Sequence, residues 1–406
     1  MIKSTNIGIW NPEYIVFSIS RAIGILVRPV ILYLLISNNF DEFADDYSRL
    51  LIVMVSIFSF LAFPYYYNFY KAYFENNDRK KVGLRYVIYL KDFFLFNILL
   101  VPLTVVLSYA LFKDIYISLG CSVLLFFEKI IDEFQRFQQY KKNFLEWSIL
   151  FLTKNFFPII LFFSIFFLFD SFSFEAYLFS LIAVNIAISL FYSLKQNVMK
   201  FIRINKKYFT SFLKRVFGKN FLIYLTSISS VLILQSDRLV LSQLENNFFS
   251  LADLTFAAQL ANLLPLVISF GFIANRRQLI LKKETLISNL FLGKAIPLVC
   301  VVLFVVVLSV IILLSQSGYL TINLSNKQIF IYFLAFSFIS LDQILHEHLY
   351  WNLKSWKLLL VDILLLILFF LVSALLPENL IELFAMVCIL RFSIHLLQKI
   401  RLDNSC

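Results

Sequence analysis

Apolar stretches of about 20 residues recur along this 406-residue chain, each bounded by a short polar segment. They fall near 14–36, 48–70, 89–112, 115–135, 145–169 and 173–194, then near 219–242, 252–274, 290–314, 327–349, 356–376 and 379–400. At a rise of about 1.5 Å per residue, such a stretch crosses a hydrocarbon core of about 30 Å. The pattern predicts an all-α polytopic membrane protein of about twelve transmembrane helices, six on each side of a polar break. The predicted domains are a six-helix lobe over residues 1–194, a linker over 195–218 and a second six-helix lobe over 219–406.

Composition narrows the function classes. The chain is 61% hydrophobic and 15% charged, against about 25% charged in an ordinary soluble domain. Many of its 49 Phe and 20 Tyr must face lipid or fill helix contacts. Cys121, Cys300, Cys388 and Cys406 are isolated, so no disulfide framework or metal spacing is readable. The first apolar run contains two arginines and is followed by no small-residue cleavage site, which predicts a retained span rather than a signal peptide. No nucleophile triad, nucleotide loop or metal motif appears, so no enzyme activity, cofactor or metal is expected. His346 and His348 flank Glu347, too few ligands for a metal site.

Basic residues alternate between loops. Arg79, Lys80, Lys81 and Arg85, then Lys141 and Lys142, then Arg276, Arg277, Lys282 and Lys283, then Lys354 and Lys357 fill every second connection. The opposite loops carry Asp41, Glu42, Asp45 and Asp46, then Asp170 and Glu175, Glu245 and Asp253, and Glu378 and Glu382, with Arg49, Lys113 and Lys327 as exceptions. Cytoplasmic loops are the basic ones, so both termini are expected in the cytoplasm. The same bias accounts for the net charge of +11, and no nucleic-acid partner is expected. The break Lys195–Lys219 holds eight basic residues and no acidic one. Within it Phe201, Ile204, Tyr208, Phe212 and Val216 recur at helical spacing, predicting an amphipathic helix on the anionic inner leaflet that also tethers the two lobes.

The halves echo each other at an offset of 208 to 214 residues. Asn39-Phe40-Asp41-Glu42-Phe43-Ala44-Asp45 is matched by Asn247-Phe248-Phe249-Ser250-Leu251-Ala252-Asp253. Asp132-Glu133, with Arg136 and Lys141, is matched by His346-Glu347, with Lys354 and Lys357. Two bundles of the same orientation imply parallel repeats about an axis along the membrane normal.

At Leu234-Gln235-Ser236-Asp237-Arg238-Leu239-Val240-Leu241-Ser242, and then Leu251-Ala252-Asp253-Leu254-Thr255-Phe256-Ala257-Ala258, the chain resembles the polysaccharide flippases of the multidrug/oligosaccharidyl-lipid/polysaccharide exporter (MOP) superfamily. The shared pattern is an Asp and a basic residue near the end of span seven, a turn, then an aromatic-Ala start to span eight. Glu133, Arg136 and Gln139 at the end of span four are also similar, whereas Asp253-Leu254-Thr255-Phe256 replaces a more typical Gly-Tyr turn. The resemblance implies two MATE-like six-helix lobes around a cavity that opens alternately to each side. It also implies a bacterial cytoplasmic membrane protein that moves a polyprenyl-diphosphate-linked oligosaccharide, such as an O-antigen repeat unit, with the lipid bilayer and polysaccharide assembly proteins as partners.

Charged residues inside the spans supply the candidate chemistry. Arg21 and Arg28 lie seven residues apart on one face of the first span, about 10 Å from each other. A central Arg costs about 2.5 to 3.5 kcal/mol to insert, and such residues persist where they line a polar cavity or meet an anion. Arginine holds phosphate oxygens bidentately and stays charged in a low dielectric. Arg21, Arg28 and Lys154, with Arg238, are therefore the candidate substrate-binding residues. Alternatively, Arg28 pairs with Asp237 as a lock between lobes, and Asp237 binds a coupling ion or neutralises an arginine. Asp237 and Arg238 are adjacent and are expected on different faces. Asp342, Asp362, Arg391 and His395 read as pairs between helices. Tyr65, Tyr66, Tyr67 and Asn68 read as an interfacial belt or a sugar-stacking platform. Pro29, Pro64, Pro102, Pro158, Pro265 and Pro297 are expected to kink or break their spans.

Two rivals remain. A membrane glycosyltransferase or polysaccharide polymerase would use outer acidic loops, but the outer loops here are about a dozen residues or fewer. A drug/ion antiporter would prefer an anionic cavity.

Overall fold

A computed structural model describes residues 12–61, 79–141, 143–170, 172–195, 206–216, 221–243, 250–262, 324–352 and 355–403. Among these the regular structure is entirely helical. The first half contains α1 (Pro12–Ser37), α2 (Asp41–Ile52), α3 (Arg79–Phe112), α4 (Ile115–Lys141), α5 (Phe144–Phe169) and α6 (Phe174–Lys195). After α7 (Lys206–Val216) come α8 (Phe221–Leu234), α9 (Ser236–Leu241), α10 (Leu251–Ala261), α11 (Asn326–Asn352), α12 (Ser355–Leu375) and α13 (Leu380–Asp403). Six segments among the described residues are long and apolar enough to cross a membrane, within α1, α3, α5, α6 and α12 and over Pro377–Arg401. The predicted span near 290–314, most of that near 252–274, Tyr65 to Asn68, and the basic loop at Arg276 to Lys283 lie outside the described residues.

Local chemistry explains the boundaries. The Asn143 side chain accepts from the Glu146 backbone N–H at 3.3 Å and donates to its carboxylate at 2.8 Å, capping α5. Ser250 accepts from the Asp253 N–H at 3.4 Å to start α10. Asp170 ends α5 in the left-handed conformation, φ 51°. Pro29, Pro102 and Pro158 lie inside continuous helices, so none of the three breaks its span. The irregularity in span two is a π-helical turn, Val53–Ile57, with no proline in it.

Helix boundaries repeat between the halves. α2 and α10 start 210 residues apart, α4 and α11 start 211 apart, and α5 and α12 also start 211 apart. These spacings fall within the 208 to 214 offset of the sequence echo.

Packing groups the chain into two units. One comprises the described residues of Met1–Leu32 and Asn97–Ile202, and the other those of Tyr33–Phe96 and Arg203–Cys406. The first unit is built on contacts of α4 and α5 with α6 and of α4 with α5. Gly120 allows α4 to approach α6, since a Cβ there would lie 3.2 Å from Leu178 Cδ2. The second unit is built on α11 against α13, α8 against α12, and α2 against α10. Its aromatic core places Tyr332, Phe336 and Phe369 about the Phe384 ring at 5.6, 6.0 and 6.4 Å. In both units large apolar side chains also face outward, such as Phe167, Phe191 and Leu371, as lipid contact requires.

Two features join segments distant in sequence within the second unit. The repeat-related starts of α2 and α10 meet, where the Ala252 backbone N–H donates to the Asp45 carboxylate. Burial pushes the Asp45 carboxyl above the usual range, while Arg49 and the Ala252 N–H act in the opposite direction. The linker helix α7 forms over Lys206–Val216, and of its predicted apolar face Phe212 and Val216 are buried within the protein. Tyr208 of α7 fixes it against α3, donating to Asp92 at 2.8 Å, a buried carboxylate that a hydroxyl satisfies better than a lipid surface would.

Candidate functional site

The face of α1 that carries the two arginines is Phe17, Arg21, Gly24 and Arg28. It runs parallel to Phe144, Trp147, Phe151 and Lys154 of α5. Phe17 is fully buried, with its ring 5.1 Å from Phe144 and 4.4 Å from Trp147. Trp147 stacks on Phe151 at 4.7 Å, and an added Cβ at Gly24 would lie 2.3 Å from Phe151 Cε1. Glycine is therefore the residue that lets α1 and α5 approach between the arginines. Gly24→Ala is expected to cost about 1 to 3 kcal/mol through overpacking, read as a lowered melting temperature that Phe151→Ala partly restores. Equal melting of Gly24→Ala and wild type would contradict the close contact.

The close approach delivers three charges to one place. Lys154 Nζ lies 2.5 Å from Glu128 Oε1, and Arg28 Nη2 lies 4.0 Å from the same oxygen. Their side chains are 12%, 6% and 29% exposed for Lys154, Glu128 and Arg28. Arg21 is half-buried two turns along the same face. Arg21, Arg28 and Lys154 thus belong to one packing unit, with Glu128 of α4 as the carboxylate that sequence reasoning missed. The signal was a carboxylate inside the fourth apolar window, which an intramembrane cation pair calls for. Further along α4, Lys129 and Arg136 share Asp132 at 3.3 and 2.8 Å.

Asp237 and Arg238 occupy the second unit and are both buried. The helix breaks at Gln235, and Arg238 Nη2 takes the Leu234 carbonyl at 2.6 Å. Arg238 Nε turns back to Asp237 Oδ1 at 3.3 Å, so adjacency in sequence does not separate their side chains. Tyr332 donates to the other Asp237 oxygen. These partners come from within the unit, whereas Arg28 meets Glu128 in the other.

A second buried network ties α8, α11, α12 and α13. Arg391 reaches Asp362 Oδ1 at 2.8 Å, Asp342 Oδ2 at 2.9 Å and Ser230 Oγ at 2.7 Å. Ser229 donates to Asp362 at 2.9 Å, and His395 Nδ1 lies 2.6 Å from Asp342 Oδ1. Asp342, Asp362, Arg391 and His395 are 1%, 0%, 3% and 0% exposed. They pair between helices, as their positions predicted. Among the described residues no group of three His, Cys, Asp or Glu is placed to hold a metal.

No protein-family model matches the sequence, and no curated protein matches it significantly. Similarity is found among solved structures. An outward-facing multidrug resistance MATE family transporter of the MOP superfamily aligns over 97% of this chain and 96% of its own, with TM-score 0.60 at 12% identity. A MOP superfamily transporter from Pyrococcus furiosus aligns over 96% and 95%, with 10% identity and TM-score 0.49, and adds no weight. The chain therefore has an all-helical membrane fold shared, over nearly its whole length, with a MATE family transporter.

Proposed function

We propose that this chain is a non-enzymatic transporter that flips a polyprenyl-diphosphate-linked oligosaccharide across a bacterial cytoplasmic membrane by alternating access. The observation that carries the reading is a local excess of cations inside the spans. Arg28 and Lys154 share one carboxylate, Glu128, leaving a net charge of +1 among these three groups, and Arg21 lies two turns along the same helix face. The buried clusters of the second unit are different: there the carboxylates Asp237, Asp342 and Asp362 outnumber the arginines Arg238 and Arg391 by one. A diphosphate head is recognised by the first set and repelled by the second. Arg21, Arg28 and Lys154 engage it, while Arg238 positions Asp237 within its own unit. A transporter of cationic drugs would instead need carboxylates available to its cargo, and the three here are held by Arg238, Tyr332, Arg391, Ser229 and His395.

The decisive measurement is made in a strain lacking the gene. Lipid-linked oligosaccharide is expected to accumulate on the cytoplasmic face, and restored expression to clear it. Accumulation of unpolymerised glycan outside the membrane would favour the polymerase reading instead.

A further inference from the structure

Glu128 occupies the position that an anionic ligand would take. Its Oε1 is approached by both Lys154 and Arg28, so the two cationic atoms lie no farther apart than the sum of 2.5 and 4.0 Å. Both cations come from neighbouring helices, α5 and α1, and the carboxylate comes from a third, α4. With its side chain 6% exposed, Glu128 is shielded from water, so its attraction to the cations is weakly screened. Arg28, at 29%, is the member open enough to meet an incoming group first.

We infer that Glu128 is a tethered competitor for the anion site and thereby selects ligands by charge. A carboxylate carries one negative charge and is attached to the protein, which gives it a high effective concentration. An incoming group displaces it only by offering Lys154 and Arg28 more than Glu128 does, as a diphosphate does and a singly charged head does not. The released Glu128 then repels the bound ligand, which assists its discharge. This inference rests on the anion-site reading above and deepens it by naming the residue that sets the charge threshold.

The test uses the full chain in nanodiscs of neutral lipid, titrated with inorganic pyrophosphate and with inorganic phosphate. Glu128→Gln is expected to bind pyrophosphate about tenfold more tightly than wild type and to discriminate less between the two probes. Glu128→Asp, one methylene shorter, is expected to show a smaller gain in the same direction and serves if Glu128→Gln does not fold. Unchanged or weaker pyrophosphate binding by folded Glu128→Gln, or by Glu128→Asp in its place, overturns the competitor role. If wild type binds pyrophosphate and Lys154→Gln weakens that binding, the anion site stands whatever Glu128 does. Failure of wild type and both Glu128 variants to bind either probe would overturn the anion-site reading and this inference together.

Discussion

Replacing Arg391 with Leu is expected to destabilise the folded protein strongly. Arg391 is the cation between Asp342 and Asp362, at 2.9 and 2.8 Å, and both carboxylates are almost wholly buried. Without it two like charges remain in the packed interior of α11, α12 and α13. Breaking a buried ion pair from one side costs about 3 to 5 kcal/mol, against a total stability of about 5 to 15 kcal/mol for typical proteins. The apparent melting temperature in detergent should fall by on the order of 10 °C. Arg401→Leu, at an exposed position of the same helix, should leave it unchanged. Adding Asp342→Asn and Asp362→Asn to Arg391→Leu should recover much of the loss, because the charges then leave together. A melting temperature equal to wild type for Arg391→Leu would show that this cluster is not what joins the helices.

Abolition of flipping is the expected result for the triple variant Arg21→Gln, Arg28→Gln and Lys154→Gln. Each glutamine keeps a long polar side chain and removes the charge, so a diphosphate meets donors but no cation. The variant should express and insert, since each substitution removes a costly intramembrane charge. Glu128 would then be left without Lys154 and Arg28, so Glu128→Gln is added as a fourth change to separate lost binding from lost stability. Lipid-linked oligosaccharide should accumulate on the cytoplasmic face in both cases. Transport at the wild-type rate by the triple variant would sink the site assignment.

Much of the helical architecture was legible because apolar length alone marks a membrane helix. The offset of 208 to 214 between the halves also agrees with helix starts in α2 and α10 that are 210 residues apart. The fate of the linker face was less legible. Phe212 and Val216 meet a helical spacing that suits a lipid surface and a protein surface equally, and only the tertiary packing that buries them decides between the two. Whether a proline breaks its helix was not legible for a similar reason. A helix absorbs one lost hydrogen bond where neighbouring contacts hold it, so Pro29, Pro102 and Pro158 interrupt nothing.

The candidate site divides along the same line. Sequence identified Arg21, Arg28 and Lys154 because a permanent cation in an apolar window is costly wherever the chain folds. It also determined that Arg21 and Arg28 share one helix face, since helical spacing is a local property, whereas the role of Gly24 between them came only with the seating of α5. Pairing is not local. Glu128 lies a hundred residues from Arg28 in sequence, and only the parallel seating of α1 on α5 beside α4 makes it their shared counter-charge. The partners of Asp237 and Arg391 were likewise settled by which helices touch: burial forces each charge to find an opposite one, but packing chooses which.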